Sequence, residues 1–242
     1  MQQTCFTIHT NSPIAPSIFR MDLTGDTSAI TRPGQFINIA LDGFYLRRPI
    51  SVCDYGPESL TILYKVVGQG TQAMCGLIPG TQLDVLTGLG NGFDVALSGD
   101  NPLLIGGGVG IPPLYRLAKD LLAQGKTVQA VLGFRTGGDV FYQQEFQDLG
   151  VILTLVTEDG SQGKKGRVTD WLPTDYSYFY TCGPEPMLKS VYKQTHTSGQ
   201  LSFEQRMGCG FGACLGCSCQ TKYGDKRICK DGPVLVKEEI LW

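Results

Sequence analysis

Three cysteines, Cys209, Cys214 and Cys217, stand at the spacing C-x4-C-x2-C, and Cys229 follows after eleven intervening residues. The surrounding segment, RMGCGFGACLGCSCQTKYGDKRICKDGP, carries five of the nine cysteines of the 242-residue chain. Nine is an odd number, which argues against a complete disulfide framework. The N-terminus, MQQTCFTIHTNSPIAP, lacks a charged start followed by an apolar run and does not read as a signal peptide. The expected compartment is therefore a reducing cytoplasm, where clustered thiols bind metal or do redox chemistry more often than they form structural disulfides. The spacing is that of plant-type ferredoxins with a shorter gap to the fourth ligand, so the expected occupant is a [2Fe–2S] cluster on Cys209, Cys214, Cys217 and Cys229. Gly208, Gly210, Gly212 and Gly216 let such a loop wrap closely, and its backbone N–H groups can bond the sulfides. A structural zinc is the plain alternative, although zinc sites favour paired C-x2-C knuckles. Cys219 is expected to be a half-buried thiol just outside the cluster. The lone Cys5, Cys53 and Cys75 read as small core residues.

The rest of the chain divides by pattern. Residues 1–99 carry short β-branched runs: Gln35–Leu41, Arg48–Tyr55, Ser59–Val67 and Thr81–Thr87, separated by Gly- and Pro-bearing turns. Such strands without a long helical pattern predict a small antiparallel barrel. Residues 100–200 alternate apolar strands with helical periods. PLLIGGG leads into PPLYRLAKDLLAQG, whose leucines and Ala118 recur at helical spacing between a proline start and a glycine stop. TVQAVLGF, VFYQQEFQDLG, VILTLVTE, YSYFYTCG and EPMLKSVYKQT continue the alternation, which predicts a parallel sheet with helical crossovers. Residues 201–242 form the Cys- and Gly-rich segment, with little room for a core of its own. The predicted fold is thus multidomain: β-barrel, α/β nucleotide domain and small C-terminal cluster domain.

Twenty Lys and Arg against twenty-two Asp and Glu leave no basic stripe, which speaks against a nucleic-acid partner. No apolar stretch reaches the roughly 18 residues of a membrane span. His9 and His196 are the only histidines and sit in no motif, which disfavours a Ser-His-Asp or metal-hydrolase mechanism.

Two barrel segments look ligand-facing. RRPISV sets Arg47 and Arg48 before Pro-Ile-Ser, able to offer a guanidinium to a diphosphate. In LYKVVGQGT, Gly68 and Gly70 allow a tight turn whose Gly70 and Thr71 N–H groups can hold a phosphate; an ordinary hairpin turn is the alternative. IGGGVGIPP follows a strand and opens a helix, but from Gly108 it reads G-x-G-x-x-P rather than the dinucleotide fingerprint. Cys182 and Gly183, in YTCGPEPM, fall at the carboxyl edge expected to bind ligand.

Taken in order, these signals resemble the ferredoxin–NADP reductase superfamily. EQRMGCGFGACLGCSC followed by CKDGPVL closely resembles the electron-transfer subunits of two-subunit, NAD-linked bacterial dihydroorotate dehydrogenases, over essentially the whole chain. The resemblance implies FAD on Arg48, Pro49, Ile50 and Ser51, with Leu63, Tyr64, Lys65, Gly70 and Thr71 completing its site. It implies the four-cysteine cluster with Cys219 outside the pattern, NAD as electron acceptor, and a place in pyrimidine biosynthesis. It also implies an FMN-containing catalytic partner, as a heterotetramer of two of each chain. No orotate site is apparent here, so the chain alone is not expected to oxidise dihydroorotate. The runner-up is a related FAD/[2Fe–2S] reductase subunit serving a hydrogenase, sulfide or ferredoxin partner. Arg135, in GFRTGGD, is placed where an arginine meets a 2′-phosphate, which keeps NADP open.

Overall fold

The computed structural model describes residues 1–242. Strands β1 (Gln2–Ala15), β2 (Ile18–Thr24), β3 (Phe36–Ile39), β4 (Arg48–Tyr55), β5 (Ser59–Lys65) and β6 (Gln82–Leu89) close a barrel in the order β1-β2-β5-β4-β3-β6. Every neighbouring pair is antiparallel. Alternate residues, such as Phe6, Ile8, Met21, Leu23, Ile37 and Ile39, fill the interior. A short helix, α1 (Gln69–Cys75), links β5 to β6 where the sequence suggested only a turn. Sequence patterning also missed β1 and β2. The Asn-Ser-Pro inside β1 reads as a turn, and the strand is interrupted by register shifts at Ile8/Thr10 and Pro13/Ala15. Of the three lone barrel cysteines only Cys53 is a core residue; Cys5 is exposed and Cys75 half-buried, because each falls on an outward or rim position.

The second half is wound around one sheet. In chain order it comprises β7 (Pro102–Gly107), α2 (Pro112–Ala123), β8 (Gln129–Phe134), α3 (Gln143–Asp148), β9 (Ile152–Thr157), β10 (Lys164–Lys165), β11 (Tyr178–Cys182), α4 (Glu185–Gln194) and β12 (Gly199–Ser202). The C-terminal segment adds a hairpin, β13 (Ser218–Thr221) and β14 (Gly224–Arg227), and a last strand, β15 (Val234–Val236). The sheet order is β10-β9-β8-β7-β11-β12-β15. It is parallel up to β12, and β15 lies antiparallel on that edge. With only the two-stranded β13–β14 sheet of its own, the cysteine segment shares one apolar cluster, through Cys217, Ile228, Cys229, Leu235 and Ile240, with Leu103, Ile105 and Phe179 of the large sheet.

The two large units share a continuous apolar core in which Ile18, Cys53 and Leu63 of the barrel meet Leu114, Leu117 and Leu121 of α2. Polar contacts fix their register. Lys119 pairs with Asp54 (2.6 Å), and Arg116 lies 3.8 Å from the Tyr55 ring centre, donates to the Tyr55 carbonyl and pairs with Asp120 at 2.7 Å. A cation held by a ring, a carbonyl and a carboxylate has one preferred orientation, so this contact sets the angle between barrel and sheet.

Candidate flavin, nucleotide and iron–sulfur sites

The two arginines of β4 and its approach differ in their company. Arg47 is committed to the barrel: it pairs with Asp84 (2.7 Å) and donates to the Asp84 carbonyl (3.0 Å). Arg48 has no acidic partner. Its guanidinium donates to the Leu46 carbonyl, lies 4.7 Å from the Phe44 ring centre and rests against Gly70. A Cβ at residue 70 would fall 1.9 Å from Arg48 Nε, so glycine is what allows the two segments to meet. The sequence signals RRPISV and GQGT therefore converge on one spot. Tyr45, Leu46 and Val67, close to it in sequence, are exposed apolar side chains. A guanidinium without an acidic partner, held where β4 meets the glycine turn, fits the diphosphate of a flavin dinucleotide.

The remaining flavin-site candidates divide by the period of the strands. Pro49, Ile50 and Ser51 are half-buried along β4. On β5, Leu63 points outward into the inter-unit core, Tyr64 points into the barrel with its hydroxyl donating to Asn11 Oδ1 (2.9 Å), and Lys65 is exposed. Only backbone at Tyr64 is thus available to a ligand outside the barrel. The Thr71 hydroxyl accepts from the Val67 N–H (2.9 Å) and Gly68 N–H (3.2 Å), capping α1, so it is already spoken for.

A cleft of about 600 Å³ runs from Lys65 and Ile18 on the barrel to Gly107–Gly110 at the mouth of the sheet. Its far wall carries Arg135, Glu158 and Arg167. Gly110 lies flat against the end of β11: a Cβ there would be 2.3 Å from the Cys182 carbonyl oxygen. That oxygen is backbone and has nowhere to retreat. Gly110→Ala is therefore expected to cost about 1–3 kcal/mol by overpacking and to weaken binding of any ligand this cleft holds. Thermal unfolding and a binding titration check this, and wild-type values in both refute it.

The segment that carries the four cysteines packs against the outer face of β3, where Phe36 shares an apolar cluster with Cys217 and Cys229. Cys217 and Cys229 are each 2% exposed, Cys209 is half-buried and Cys214 exposed. All four are free thiols. The Cys229 N–H donates to Cys217 Sγ (3.3 Å) and the Ala213 N–H to Cys209 Sγ (3.2 Å). Burial pushes the Cys229 thiol up to about 12, and the adjoining Cys217 adds to it. At Cys209 burial acts the same way but is outweighed by the N–H groups of Phe211 and Cys214, the Cys214 thiol and the Ala213 N–H, which bring it down to about 6. Four thiols this close cannot all ionise without a compensating cation, which is what a cluster supplies. Arg227 binds the loop's two halves together through Asp231 (3.0 Å) and the Gly212 carbonyl (2.9 Å). Cys219 makes no bond to the four; it lies on β13 opposite Lys226 and lines a small cavity with Leu235, Ile240 and Trp242.

A closed antiparallel barrel with a lone arginine at its ligand-facing strand, joined across a cleft to a parallel sheet, defines a flavin- and nicotinamide-dependent reductase of the ferredoxin–NADP reductase class. Solved structures bear this out. An NADH-dependent reduced ferredoxin–NADP oxidoreductase matches with a TM-score of 0.88 at 30% identity, covering 98% of this chain and 90% of that one. A ferredoxin–NADP⁺ reductase from Neisseria gonorrhoeae shares the fold (TM-score 0.70, 16% identity, 80% and 90% covered). Residues 104–193 match the oxidoreductase NAD-binding domain, and residues 204–241 the iron–sulfur cluster binding domain of dihydroorotate dehydrogenase B. The electron transfer subunit of dihydroorotate dehydrogenase B (NAD(+)) from Bacillus velezensis is 40% identical, with 99% of each chain covered. Its counterpart from Fusobacterium nucleatum is also 40% identical, over 97% of this chain and 96% of that one. The chain belongs to the family of dihydroorotate dehydrogenase B electron transfer subunits.

The sequence singled out the cysteines, Arg48 and Gly70, and the fold brings Arg48 against Gly70. Sequence patterning missed Asn38, which donates from Nδ2 to the Cys209 carbonyl (3.2 Å) across 171 residues of chain. An asparagine alternating with isoleucines in QFINIAL gives no signal beyond an outward-facing position.

Proposed function

We propose that this chain passes electrons from an FMN-bearing, dihydroorotate-oxidising partner to NAD⁺, and that it does so in the cytoplasm as a heterotetramer of two of each chain. The observation that carries the reading is the four-thiol lobe docked on the same barrel whose Arg48 meets Gly70. When bound, FAD would supply hydride chemistry toward the nicotinamide and the [2Fe–2S] cluster single-electron transfer toward the partner. The chain's own residues position and tune. Arg48 binds the FAD diphosphate, with Gly70 and Thr71 contributing backbone N–H groups, and Pro49, Ile50 and Ser51 carry the ring system beside Leu63, Tyr64 and Lys65. Gly107–Gly110 and Cys182–Gly183 receive the nicotinamide nucleotide at the carboxyl edge of the sheet. Cys209, Cys214, Cys217 and Cys229 ligate the cluster.

The exposed side chains Phe211 and Leu215 flank the exposed Cys214 and form an apolar rim suited to a protein partner. No helix is long and apolar enough to cross a membrane. A second reading, service to a ferredoxin partner, is favoured by the likeness to the ferredoxin–NADP oxidoreductase. Co-expression with an FMN-containing dihydroorotate dehydrogenase subunit separates the two. Dihydroorotate-dependent NAD⁺ reduction is expected only when both chains are present, from a complex of two-plus-two mass. A stable loaded complex without that activity refutes the reading.

A further inference from the structure

Cross-strand register places two of the flavin candidates, Pro49 and Ser51, on the outer barrel face that meets the cluster loop. Phe36 pairs with Ser51 and Asn38 with Pro49, while the intervening Ile37 faces the barrel core. The Val52 N–H donates to the Gln35 carbonyl (3.0 Å) just outside the first pair. Both pairs are therefore of the non-hydrogen-bonded kind, whose Cα atoms approach to about 4.5 Å with side chains side by side. Pro49, without an N–H, removes nothing from this ladder.

On the β3 half of that face, Phe36 packs in the same apolar cluster as Cys217 and Cys229. Asn38 meets the first of the four cysteines. Its Nδ2 donates to the Cys209 carbonyl at 3.2 Å, and its amide lies against Gly210, where a Cβ would fall 2.3 Å from Nδ2. Gly210 has φ of +78°, so the backbone there needs glycine on both counts. Asn38 is 1% exposed, and its Oδ1 has no hydrogen-bond partner within the chain. A buried amide that uses its donor and leaves its acceptor open is costly unless a neighbouring group completes it. The neighbour across the strand pair is the proposed flavin segment.

Resting on the FAD and cluster assignments above, we propose that Asn38 is a positioning residue that ties the peptide of the first cluster ligand to the flavin-bearing strand, and so fixes the approach and potential of the cluster relative to FAD. It touches neither substrate nor reacting atom; it acts through Cys209 and Pro49.

The test uses the full chain, reconstituted with FAD and iron–sulfur cluster, as parent, Asn38→Ala and Asn38→Asp. Asn38→Asp keeps the volume and removes the donor, and its carboxyl adds negative character beside the thiolates. Iron and flavin content, the electron paramagnetic resonance of the reduced cluster and its reduction potential are measured. The expected result is full FAD content in both variants, altered resonance g-values in both, and a potential lowered in Asn38→Asp. Loss of iron from Asn38→Asp with FAD retained also supports the proposal, because the defect is then confined to the cluster loop. Parent-like resonance and potential in both variants overturn it, as does joint loss of FAD and iron, which would make Asn38 a general packing residue. A parent chain that takes up no cluster or no FAD refutes the underlying assignment instead.

Discussion

Cys214→Ser is expected to abolish the iron–sulfur signal completely, and with it all electron flow between the partner and NAD⁺, while Cys219→Ser leaves both near the parent level. Serine presents a hard oxygen that does not ionise at neutral pH, where iron needs a soft thiolate. Cys214 is an exposed free thiol, so its replacement removes the proposed ligand without disturbing a core. Cys219 lies two residues beyond Cys217, on β13 opposite Lys226. Visible absorption and iron analysis of the two variants decide the matter. Retained iron in Cys214→Ser, or lost iron in Cys219→Ser, would mean that the wrong thiols have been assigned.

The second large effect concerns the flavin. Arg48→Ala removes a guanidinium that the chain itself leaves without an acidic partner, and charge-assisted hydrogen bonds contribute about 1.5–3 kcal/mol. FAD affinity should fall by roughly ten- to a hundredfold. Arg47→Ala is the control. Its side chain is held by the half-exposed Asp84, a surface pair worth about 0–1 kcal/mol, so FAD binding should change little. Fluorescence titration of the apoprotein with FAD measures both. Equal losses in the two variants would place the diphosphate elsewhere.

The features legible in the sequence were those that short-range chemistry dictates. The cysteine spacing requires only that a loop close on itself, and the strand–helix alternation of the second half follows from residue period alone. Arg48 and Gly70 were legible as separate signals, and their meeting needed the barrel to bring β4 beside the start of α1. That helix was hidden by Gly68 and Gly70, which weaken helical propensity but cap and open its first turn. β1 was hidden because its stability comes from two neighbours, β2 and β6, rather than from apolar alternation in its own Asn-Ser-Pro stretch. Asn38 was beyond reach for a different reason: its partner is a carbonyl, and a carbonyl leaves no mark in sequence.

The way the C-terminal segment is fastened has a consequence for how electrons can travel. β15 is hydrogen-bonded into the edge of the nucleotide sheet, and Asn91 of the barrel clamps Val234 from both sides, donating to its carbonyl at 2.7 Å and accepting from its N–H at 3.1 Å. The thiol lobe is therefore woven into both halves of the molecule and is not a carrier swinging on a tether. Distance between redox centres is settled once, at folding. Turnover then asks for no excursion of the lobe, only for the arrival and departure of nucleotide at a relay that stands still.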